Sequence, residues 1–425
     1  MTPLRVLFIC HGHPAERPGG AEVYAVELYE AAGGCPDLEP FLLTRTARLG
    51  TPPVWAEPTD PRHFWVSTGY GDFDYLYQEY RPLGAVGVWL DRLLRRVAPD
   101  VVHFQHTLFL GLDLVRRVRE VLPRARVLYT LHEFFPICHH RGLMYRTLER
   151  VPCDRATPDR CSECFPDTSA ASFAARTDHV KRRLAGVDQF VAPSRFLRDR
   201  YVEWGLPADR VVVEEYGRLP VAAAGEPPHR PGTPRARFGY FGQLNAFKGV
   251  DVLLRAVLEL AAAGSLPGGF ELHLHGANLE LQPPQFRKQY GDLLEACRPL
   301  GVVTDHGPYR HDRLGERIAG IDWVVVPSVW WENSPLVIQE AFAHGRPVIG
   351  SDIGGTREKV SDGTDGLHFR AADPADLARV LRLAAATPGL WEKLRANVRP
   401  PYPMTDHLTR LLELYRSPRV SDSLT

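Results

Sequence analysis

Short apolar segments rich in β-branched and aromatic residues recur along the chain, and each precedes a stretch with helical spacing of apolar positions. Such segments predict parallel strands covered by helices on both faces, since a half-exposed strand alternates apolar with polar residues. We therefore expect an α/β fold built from doubly wound sheets. The predicted strands are residues 5–10, 100–106, 126–132 and 188–194 in the first half, and 236–242, 270–276, 301–307, 321–328 and 347–352 in the second.

One segment between the two series of strands has no periodicity. Residues 222–236 are rich in alanine, proline, glycine and arginine, which is typical of a linker. We expect an N-terminal Rossmann-like domain at 1–221, a C-terminal one at 237–400, a helix at 401–418 that can pack back on the N-terminal domain, and a disordered tail at 419–425. Ligands bind outside the carboxyl ends of such strands, so the two domains are expected to face a central cleft that holds the site.

Residues 51–82 interrupt the alternation of strands and helices. The segment is rich in aromatic residues and prolines, with no continuous apolar run of strand length. It predicts an inserted hairpin or a long loop over the cleft.

Charge and composition narrow the functional classes. The 425 residues include 51 Lys plus Arg and 51 Asp plus Glu, so the formal net charge is zero. Dedicated nucleic-acid-binding proteins usually carry a basic excess, so no nucleic acid is expected as a partner. The sequence has no run of 18 apolar residues, so no membrane span is predicted. The first residues show neither a basic leader nor a cleavage site. We expect a cytoplasmic protein.

Two strand-to-helix turns carry groups suited to phosphate. Gly19 and Gly20 follow the first predicted strand and allow the backbone to approach a ligand closely. Lys248 ends the turn after strand 236–242, where its ammonium group can meet a phosphate.

The stretch WENSPLVIQE predicts a helix that begins at Pro335 and is capped by Asn333 and Ser334. A helix start attracts anions, because its first amides are unpaired. Two carboxylates nevertheless flank it: Glu332 precedes the helix, and Glu340 lies between one and two turns into it.

These glutamates are separated by seven residues, and ENSPLVIQEAFAHGRPVIGSDIGG resembles the E-x7-E signature of retaining glycosyltransferases of family GT4, which have the GT-B fold. PGGAE resembles the family's N-terminal glycine loop, and FGQLNAFKGVD its turn after the first strand of the C-terminal domain. VAPSRFLRDRYVEWG and VVVEEYG resemble the segment that closes its N-terminal domain. The ordered matches run from about residue 5 to about residue 370.

The resemblance implies that the N-terminal domain binds the acceptor and the C-terminal domain a UDP- or GDP-linked sugar. Glu340 would hold ribose hydroxyls, Glu332 hydroxyls of the sugar, and Lys248 the diphosphate. His132 matches a histidine that approaches the sugar, so His132, Glu332 and Lys248 are the expected catalytic residues. Gln243 replaces an arginine that is usual in the family. The implied donor-binding residues are Gly19, Gly20, Gln243, Lys248, Glu332, Asn333, Ser334, Leu336, Val337 and Glu340.

The resemblance also implies a retaining reaction in which the leaving phosphate helps to deprotonate the acceptor, with no protein nucleophile and no catalytic metal. The acceptor is a saccharide, a lipid-linked molecule or a small molecule. Two alternatives stay open. One is a sugar-nucleotide epimerase or hydrolase of the same fold. The other is a dinucleotide-dependent oxidoreductase, although HGHPAERPGG lacks the G-x-G-x-x-G fingerprint.

Four of the seven cysteines fall in a polar insertion at about 136–168, and the last two form a C-x2-C pair that suits tetrahedral zinc. A structural zinc is expected, held by four thiolates, or by three together with His139 or His140. An iron–sulfur cluster and disulfides are the alternatives, the latter disfavoured in a reducing cytosol. The predicted ligands are Cys138, Cys153, Cys161 and Cys164.

Two basic runs, RRVRE at 116–120 and KRRL at 181–184, are interpreted first as solvated helix faces. Attachment to anionic lipid at the inner face of a membrane is the alternative, which would suit a lipid-linked acceptor.

Overall fold

The computed structural model describes residues 2–16, 19–48, 50–81, 84–225, 227 and 233–419. The chain divides into two compact units. Unit 1 comprises Met1–Leu219 and Tyr402–Thr425, and unit 2 comprises Pro220–Pro401. Residues 226 and 228–232 of the predicted linker, and 420–425 of the predicted tail, lie outside the described residues.

Unit 1 is built largely from strands and helices in alternation. In chain order they are β1 (Leu4–Cys10), α1 (Gly20–Gly33), β2 (Leu38–Thr46), β3 (Val54–Glu57), β4 (Asp60–Ser67), β5 (Phe73–Asp74), β6 (Glu79–Tyr80), α2 (Gly84–Val97), β7 (Val101–Phe104), α3 (Asp113–Val121), β8 (Arg126–Thr130), α4 (Pro158–Cys164), α5 (Ala170–Leu184), β9 (Gln189–Ala192), α6 (Arg195–Trp204) and β10 (Val211–Val213).

In the described part of unit 1, eight strands form one sheet in the order β10-β9-β8-β7-β1-β2-β4-β3. All neighbours are parallel except β3 and β4, which form an antiparallel hairpin. The central strand β1 is fully buried from Val6 to Cys10, as expected for a sheet covered on both faces. The hairpin predicted within residues 51–82 is formed by β3 and β4, and β4 extends the sheet beside β2.

Unit 2 is a second parallel sheet with helices. Its elements are β11 (Arg237–Gln243), α7 (Val250–Ala262), β12 (Glu271–Ala277), α8 (Pro284–Cys297), β13 (Val303–Asp305), α9 (Leu314–Ala319), β14 (Trp323–Val326), α10 (Leu336–Ala343), β15 (Val348–Ser351), α11 (Gly354–Lys359), β16 (Gly366–Phe369), α12 (Pro374–Ala386) and α13 (Leu390–Arg395).

The six strands assigned among the described residues of unit 2 are all parallel, in the order β13-β12-β11-β14-β15-β16. Helix α10 packs on this sheet through Ile338, which is buried with Val324, Val326 and Val348. This packing places the start of α10 just beyond the carboxyl ends of β14 and β15.

A final helix, α14 (Met404–Arg416), returns to unit 1 after the chain has passed through unit 2. The imidazole of His407 is 2.8 Å from a Glu214 carboxylate oxygen and 2.6 Å from the Tyr24 hydroxyl. The Tyr415 hydroxyl is 2.8 Å from Nδ1 of His103 in β7. These buried polar contacts anchor α14 to the sheet of unit 1. No helix in the described ranges is long and apolar enough to cross a membrane.

Acid should destabilise unit 1 through His103. Burial lowers the pKa of His103 to about 3, and the neighbouring His407 adds to the effect. Below pH 6.5 the unfolded chain binds a proton on this imidazole that the folded chain does not, so stability falls as the pH drops. From pH 7 to pH 5 the expected loss is roughly 2 kcal/mol, measurable by urea unfolding at both values.

The variant His103→Gln should lose this part of the pH dependence. His311→Gln is the control, because the side chain of His311 is half exposed. An unchanged pH dependence in His103→Gln would show that His103 is not the source.

Candidate functional site

The helix start predicted in WENSPLVIQE is present, but one residue later. Helix α10 begins at Leu336, and Pro335 occupies the N-cap position with ψ of 117° and no side-chain capping bond. The N-cap position expected for Asn333 or Ser334 is therefore occupied by Pro335. Both side chains are buried instead, only 6 % and 7 % exposed. The first hydrogen bond at the start of α10 runs from the Ile338 amide to the Pro335 carbonyl oxygen. The amides of Leu336 and Val337 therefore belong to the first turn, whose N–H groups have no partner within the helix.

Glu332 and Lys248, predicted from separate motifs, are in direct contact. Glu332 is 6 % exposed, and its Oε1 lies 2.5 Å from the Lys248 ammonium. The same oxygen accepts a bond from the Ser328 hydroxyl at 2.7 Å and one from the Trp330 indole N–H at 2.9 Å. The ammonium also lies 5.3 Å from the centre of the Trp330 ring. Ser328 and Trp330 thus position the Glu332–Lys248 pair.

Sequence reasoning missed Ser328 and Trp330, because Ser328 ends the predicted apolar strand 321–328 and Trp330 follows it without belonging to a motif. The available signal was polar: a hydroxyl and an indole N–H fall within four residues of a glutamate at the carboxyl end of a strand. Both are donors that a buried carboxylate requires.

The turn that carries Lys248 is held by its own side chains and by a glycine. The Asn245 carboxamide oxygen accepts bonds from the amides of Phe247 and Lys248, each at 3.0 Å. Gly249 has φ of +68°, and a Cβ there would lie 1.8 Å from the Pro327 carbonyl oxygen. Only glycine fits this approach, which presses the Lys248 turn against the segment after β14.

Gln243, the last residue of β11, joins this turn. Its side-chain oxygen accepts a bond from the side-chain NH2 group of Asn245 at 3.3 Å. It contributes no charge, so Lys248 is the cation that the predicted donor-binding set supplies.

Glu340 lies on the other side of the helix start, beside the segment that follows β13. Its side chain is 11 % exposed and lies 3.7 Å from His311 Nε2. Burial and the charge of Glu340 both raise the pKa of Tyr309. The two glutamates therefore have different surroundings: Glu332 is paired with a lysine, and Glu340 faces a tyrosine and a histidine.

Gly354 and Gly355, at the start of α11, support the loop that carries Glu332. The Gly355 amide donates to the Glu332 carbonyl oxygen at 2.6 Å, and a Cβ on Gly355 would lie 1.8 Å from the Asn333 carbonyl oxygen.

Gly355→Ala should therefore displace the Glu332 loop. We expect a loss of about 1–3 kcal/mol in unfolding free energy, together with a loss of activity, because the added methyl group overlaps backbone atoms. Gly320→Ala is the matched control, since nothing lies within 4 Å of its Cβ position and its φ is −85°. Equal stability of the two variants in thermal unfolding would contradict the expectation.

In unit 1, Gly19 is the N-cap of α1 and Gly20 its first residue. Arg17 and Pro18 of the same motif lie outside the described residues. Next to the two glycines, Glu22 pairs with His11 at 3.0 Å. Burial would raise the pKa of Glu22, but the attraction and hydrogen bond of His11 outweigh it and hold this pKa below its usual value.

His132 follows β8 and has partners on both ring nitrogens. Nε2 lies 3.0 Å from the Gln105 carboxamide oxygen, and Nδ1 lies 2.6 Å from the Tyr216 hydroxyl. A carboxamide oxygen only accepts, so hydrogen-bond chemistry assigns the proton to Nε2 and leaves Nδ1 accepting from Tyr216. Burial holds the pKa of His132 well below its usual value, and the neighbouring histidines add to this. His132 is thus a neutral, oriented imidazole.

His106 and His11 lie near His132 with their rings in contact. His106 Nε2 is 2.9 Å from a Glu133 carboxylate oxygen, and the His106 ring is 4.2 Å from that of His11. Burial raises the pKa of Glu133, although His106 opposes the shift. Gly19, Glu133 and His132 all follow strands at the carboxyl edge of the unit 1 sheet.

The four cysteines predicted as zinc ligands are Cys138, Cys153, Cys161 and Cys164, of which the last two lie in α4. Within the residues that the structure describes, no group of three or more His, Cys, Asp or Glu side chains is placed to hold a metal. None of these four described cysteines is joined in a disulfide. Burial raises the pKa of Cys138 to about 12 and that of Cys161 to about 11. The structure gives no support to a zinc site, which stays a prediction.

The two basic runs are largely neutralised. Arg117 is 2.7 Å from Asp91, Arg119 is 2.5 Å from Asp188, and Arg183 is 2.5 Å from Glu79. Guanidinium groups already paired with carboxylates attract anionic lipid weakly. Attachment to a membrane stays a prediction that these runs do not support.

Two Rossmann-like units, one with a lysine and two glutamates around a helix start, are the arrangement typical of GT-B glycosyltransferases. A family model described as "Glycosyltransferase Family 4" matches residues 18–214, and one described as "Glycosyl transferases group 1" matches residues 235–386. The matches follow each other along both units. The chain belongs to the GT4-like glycosyltransferases.

Curated relatives include D-inositol 3-phosphate glycosyltransferases. That of Geodermatophilus obscurus is 30 % identical over 245 residues, which are 51 % of each chain. That of Arthrobacter sp. strain FB24 is 24 % identical over 91 % of this chain and 88 % of its own. The chain thus spans about half the length of the first relative and most of the second.

Solved structures share the fold at lower identity. Sucrose-phosphate synthase from Thermosynechococcus elongatus has a TM-score of 0.70 and 19 % identity, covering 97 % of this chain and 98 % of its own. Anabaena Alr3699/HepE in complex with UDP-glucose has a TM-score of 0.62 and 16 % identity, covering 97 % and 99 %. At these low identities the similarity shows the fold alone, and that fold agrees with the predicted GT-B class.

Proposed function

We propose that the protein transfers a sugar from a nucleoside-diphosphate donor to a hydroxyl group of an acceptor, with retention of configuration. The observation that carries the proposal is the contact between Lys248 and Glu332 beside the first amides of α10. This site joins one cation, unpaired amides and carboxylates, the groups that a diphosphate and two sugars require.

The charges of the reaction match these groups. Cleavage of the sugar–phosphate bond develops negative charge on the diphosphate, which an ammonium group and helix amides stabilise. We assign this role to Lys248 and to the amides of Leu336 and Val337. Because carboxylates accept hydrogen bonds from hydroxyls, Glu332 and Glu340 are assigned to the transferred sugar and the ribose.

The comparisons support a particular donor and a class of acceptor. The related fold of HepE holds UDP-glucose, which favours a UDP-linked sugar over a GDP-linked one. The relatives named D-inositol 3-phosphate glycosyltransferases favour a small, hydroxyl-rich acceptor over a lipid-linked one. Lys248 and the helix amides supply the positive charge that a divalent cation supplies in other transferases, so the proposal gives no step to a metal.

His132 is assigned an orienting role. Its Nδ1 lone pair is occupied by the Tyr216 hydroxyl, and its low pKa keeps it neutral. Proton removal from the acceptor is therefore assigned to the leaving phosphate, on the face where the sugar–phosphate bond breaks. Attack from that face retains the configuration.

Binding and turnover test the proposal separately. Thermal unfolding with UDP, GDP, ADP and dTDP should show stabilisation by UDP above all. With a UDP-sugar and a panel of hydroxyl acceptors, ¹H NMR should show a product with the anomeric configuration of the donor.

Three outcomes would overturn parts of the proposal. Stabilisation by none of the nucleotides contradicts the donor class. An inverted anomer contradicts retention. UDP release that is equally fast without acceptor identifies a hydrolase or epimerase instead of a transferase.

A further inference from the structure

Arg45, near the end of β2, is a buried arginine to which no described residue supplies an acidic partner. It is 5 % exposed, and among the described residues no carboxylate lies within 4 Å of it. Its Nε donates to the Thr68 hydroxyl at 3.1 Å, and its Nη2 donates to the Thr68 carbonyl at 2.5 Å. Buried arginines are normally paired with acids, because an unpaired buried charge is costly.

The third nitrogen of this guanidinium is available. In the described part of the chain, Nη1 of Arg45 has no protein acceptor. It is also not fully enclosed, since it is absent from the buried side-chain atoms that have no hydrogen-bond partner. The carboxylate of Asp72 is held by the Tyr80 hydroxyl at 3.2 Å and does not pair with Arg45. The guanidinium can therefore offer two or more N–H groups to an anion from outside the chain.

Two aromatic rings contact this guanidinium and two more pack against Phe109, and we call the four residues the aromatic platform: Tyr70, Phe73, Tyr75 and Phe109. The Arg45 guanidinium lies 4.2 Å from the centre of the Tyr70 ring and 4.9 Å from that of Phe109. The Phe109 ring is 4.8 Å from Tyr70, 5.4 Å from Phe73 and 5.9 Å from Tyr75. Tyr70 is 51 % exposed and Tyr75 37 %, so the platform presents rings to solvent.

The platform is held in an unusual backbone conformation. Phe109 has φ of +59°, which an aromatic residue rarely adopts and which costs on the order of 1–3 kcal/mol. The Thr68 hydroxyl, which accepts from Arg45, donates to the Phe109 carbonyl at 2.9 Å. Thr68 therefore links the cation to the strained residue. Such strain persists where surrounding structure enforces it, commonly at ligand sites.

The position of these residues in the fold points to a ligand site. Arg45 is at the carboxyl end of β2, Thr68 follows β4, and Phe109 lies in the segment after β7. In doubly wound sheets ligands bind outside this edge. The same edge of unit 1 carries Gly19 and His132.

We propose that Arg45 and the aromatic platform form the acceptor subsite, and that the acceptor is a sugar or polyol with an anionic group, either a phosphate monoester or a carboxylate. The assignment of this ligand as acceptor rests on the proposed function, whereas its binding does not. The C–H face of the ring packs on Tyr70 and Tyr75, and Arg45 binds the anion through its fork of N–H groups.

The test compares matched ligands by isothermal titration calorimetry, without donor. Neutral hexoses and polyols are compared with their monophosphates and with the corresponding uronic acids. At least one anionic ligand should bind tenfold or more tightly than its neutral counterpart, and the tighter series identifies phosphate or carboxylate as the group. If no anionic ligand binds more tightly than its neutral counterpart, the proposal is overturned.

Variants locate the preference. Arg45→Gln should reduce the ratio of anionic to neutral affinity to about one, whereas Arg48→Gln, which removes a charge from a side chain that is 75 % exposed, should keep it. Tyr70→Ala carries little folding risk because Tyr70 is half exposed. It should weaken neutral and anionic ligands alike by several fold. A preference that survives Arg45→Gln, or ligand binding that Tyr70→Ala leaves unchanged, would overturn the assignment.

Failure here is distinguishable from failure of the proposed function. UDP should stabilise the Arg45→Gln variant as much as the wild type. Arg45 lies in unit 1, whereas the residues that we assign to nucleotide binding lie in unit 2. Anion preference without nucleotide binding would leave this subsite standing and contradict the transferase.

Discussion

Lys248→Met is expected to lower kcat/KM for sugar transfer by roughly 10²–10³-fold and to weaken UDP binding at least tenfold. The substitution removes the cation assigned to the diphosphate. It also leaves Glu332, only 6 % exposed, with a charge that Ser328 and Trp330 bind but do not neutralise. Steady-state kinetics and calorimetry with UDP measure the two effects. Lys288→Met, which removes a lysine on α8 that is 76 % exposed, is the matched control.

A double variant separates two roles of Lys248. If the lysine served only to neutralise Glu332, then Lys248→Met combined with Glu332→Gln would restore UDP binding to the level of Glu332→Gln alone. We expect no such restoration, because the diphosphate itself needs the ammonium group. Restored binding would assign Lys248 a purely structural role.

Glu332→Gln and Glu340→Gln are expected to fail in different ways. Glu332→Gln should leave UDP binding unchanged or tighter, because it removes a negative charge beside the diphosphate, and should lower kcat by about 10²-fold. Glu340→Gln should weaken UDP binding roughly tenfold or more, the effect of one hydrogen bond to a charged group, and change kcat less. Calorimetry with UDP and initial rates at saturating donor distinguish them.

Each glutamate variant is the control for the other. Glu316→Gln, on α9 with a side chain 64 % exposed, reports the effect of removing a distant charge in the same unit. Equal losses of UDP affinity in Glu332→Gln and Glu340→Gln would contradict the assignment of one to the sugar and the other to the ribose.

The sequence pattern predicted the fold class well, and its omissions have local causes. Each of the nine predicted strands overlaps a strand of the structure. Strand β2 was missed because it contains Pro40 and ends in Thr44, Arg45 and Thr46, which resemble a loop. These residues are buried nonetheless, because Thr44 binds His63 at 2.6 Å and Arg45 binds Thr68. Strands β10 and β16, of three and four residues, are too short to show a period.

The candidate site was predictable as separate residues but not as contacts. Lys248 and Glu332 are 84 positions apart in the chain. They meet because β11 and β14 are neighbours in the sheet, with Phe238 opposite Trp323, and the turns after both strands open at the same edge. Strand order depends on long-range packing, which no local motif encodes.

Helix α14 gives the chain a particular modular construction. The chain leaves unit 1 at Leu219 and returns at Tyr402. The backbone segments at these two points are hydrogen-bonded to each other. The Arg218 amide donates to the Tyr402 carbonyl at 2.9 Å, and the Met404 amide donates to the Arg218 carbonyl at 3.0 Å. Unit 2 is thus a domain inserted into a continuous host whose two cut ends are adjacent. A truncation after Leu219 would remove the partners of Tyr24 and His103, whereas replacing residues 220–401 by the equivalent domain of a homologue would preserve them. With the donor assigned to unit 2 and the acceptor to unit 1, as proposed above, this insertion would allow the two specificities to be exchanged independently.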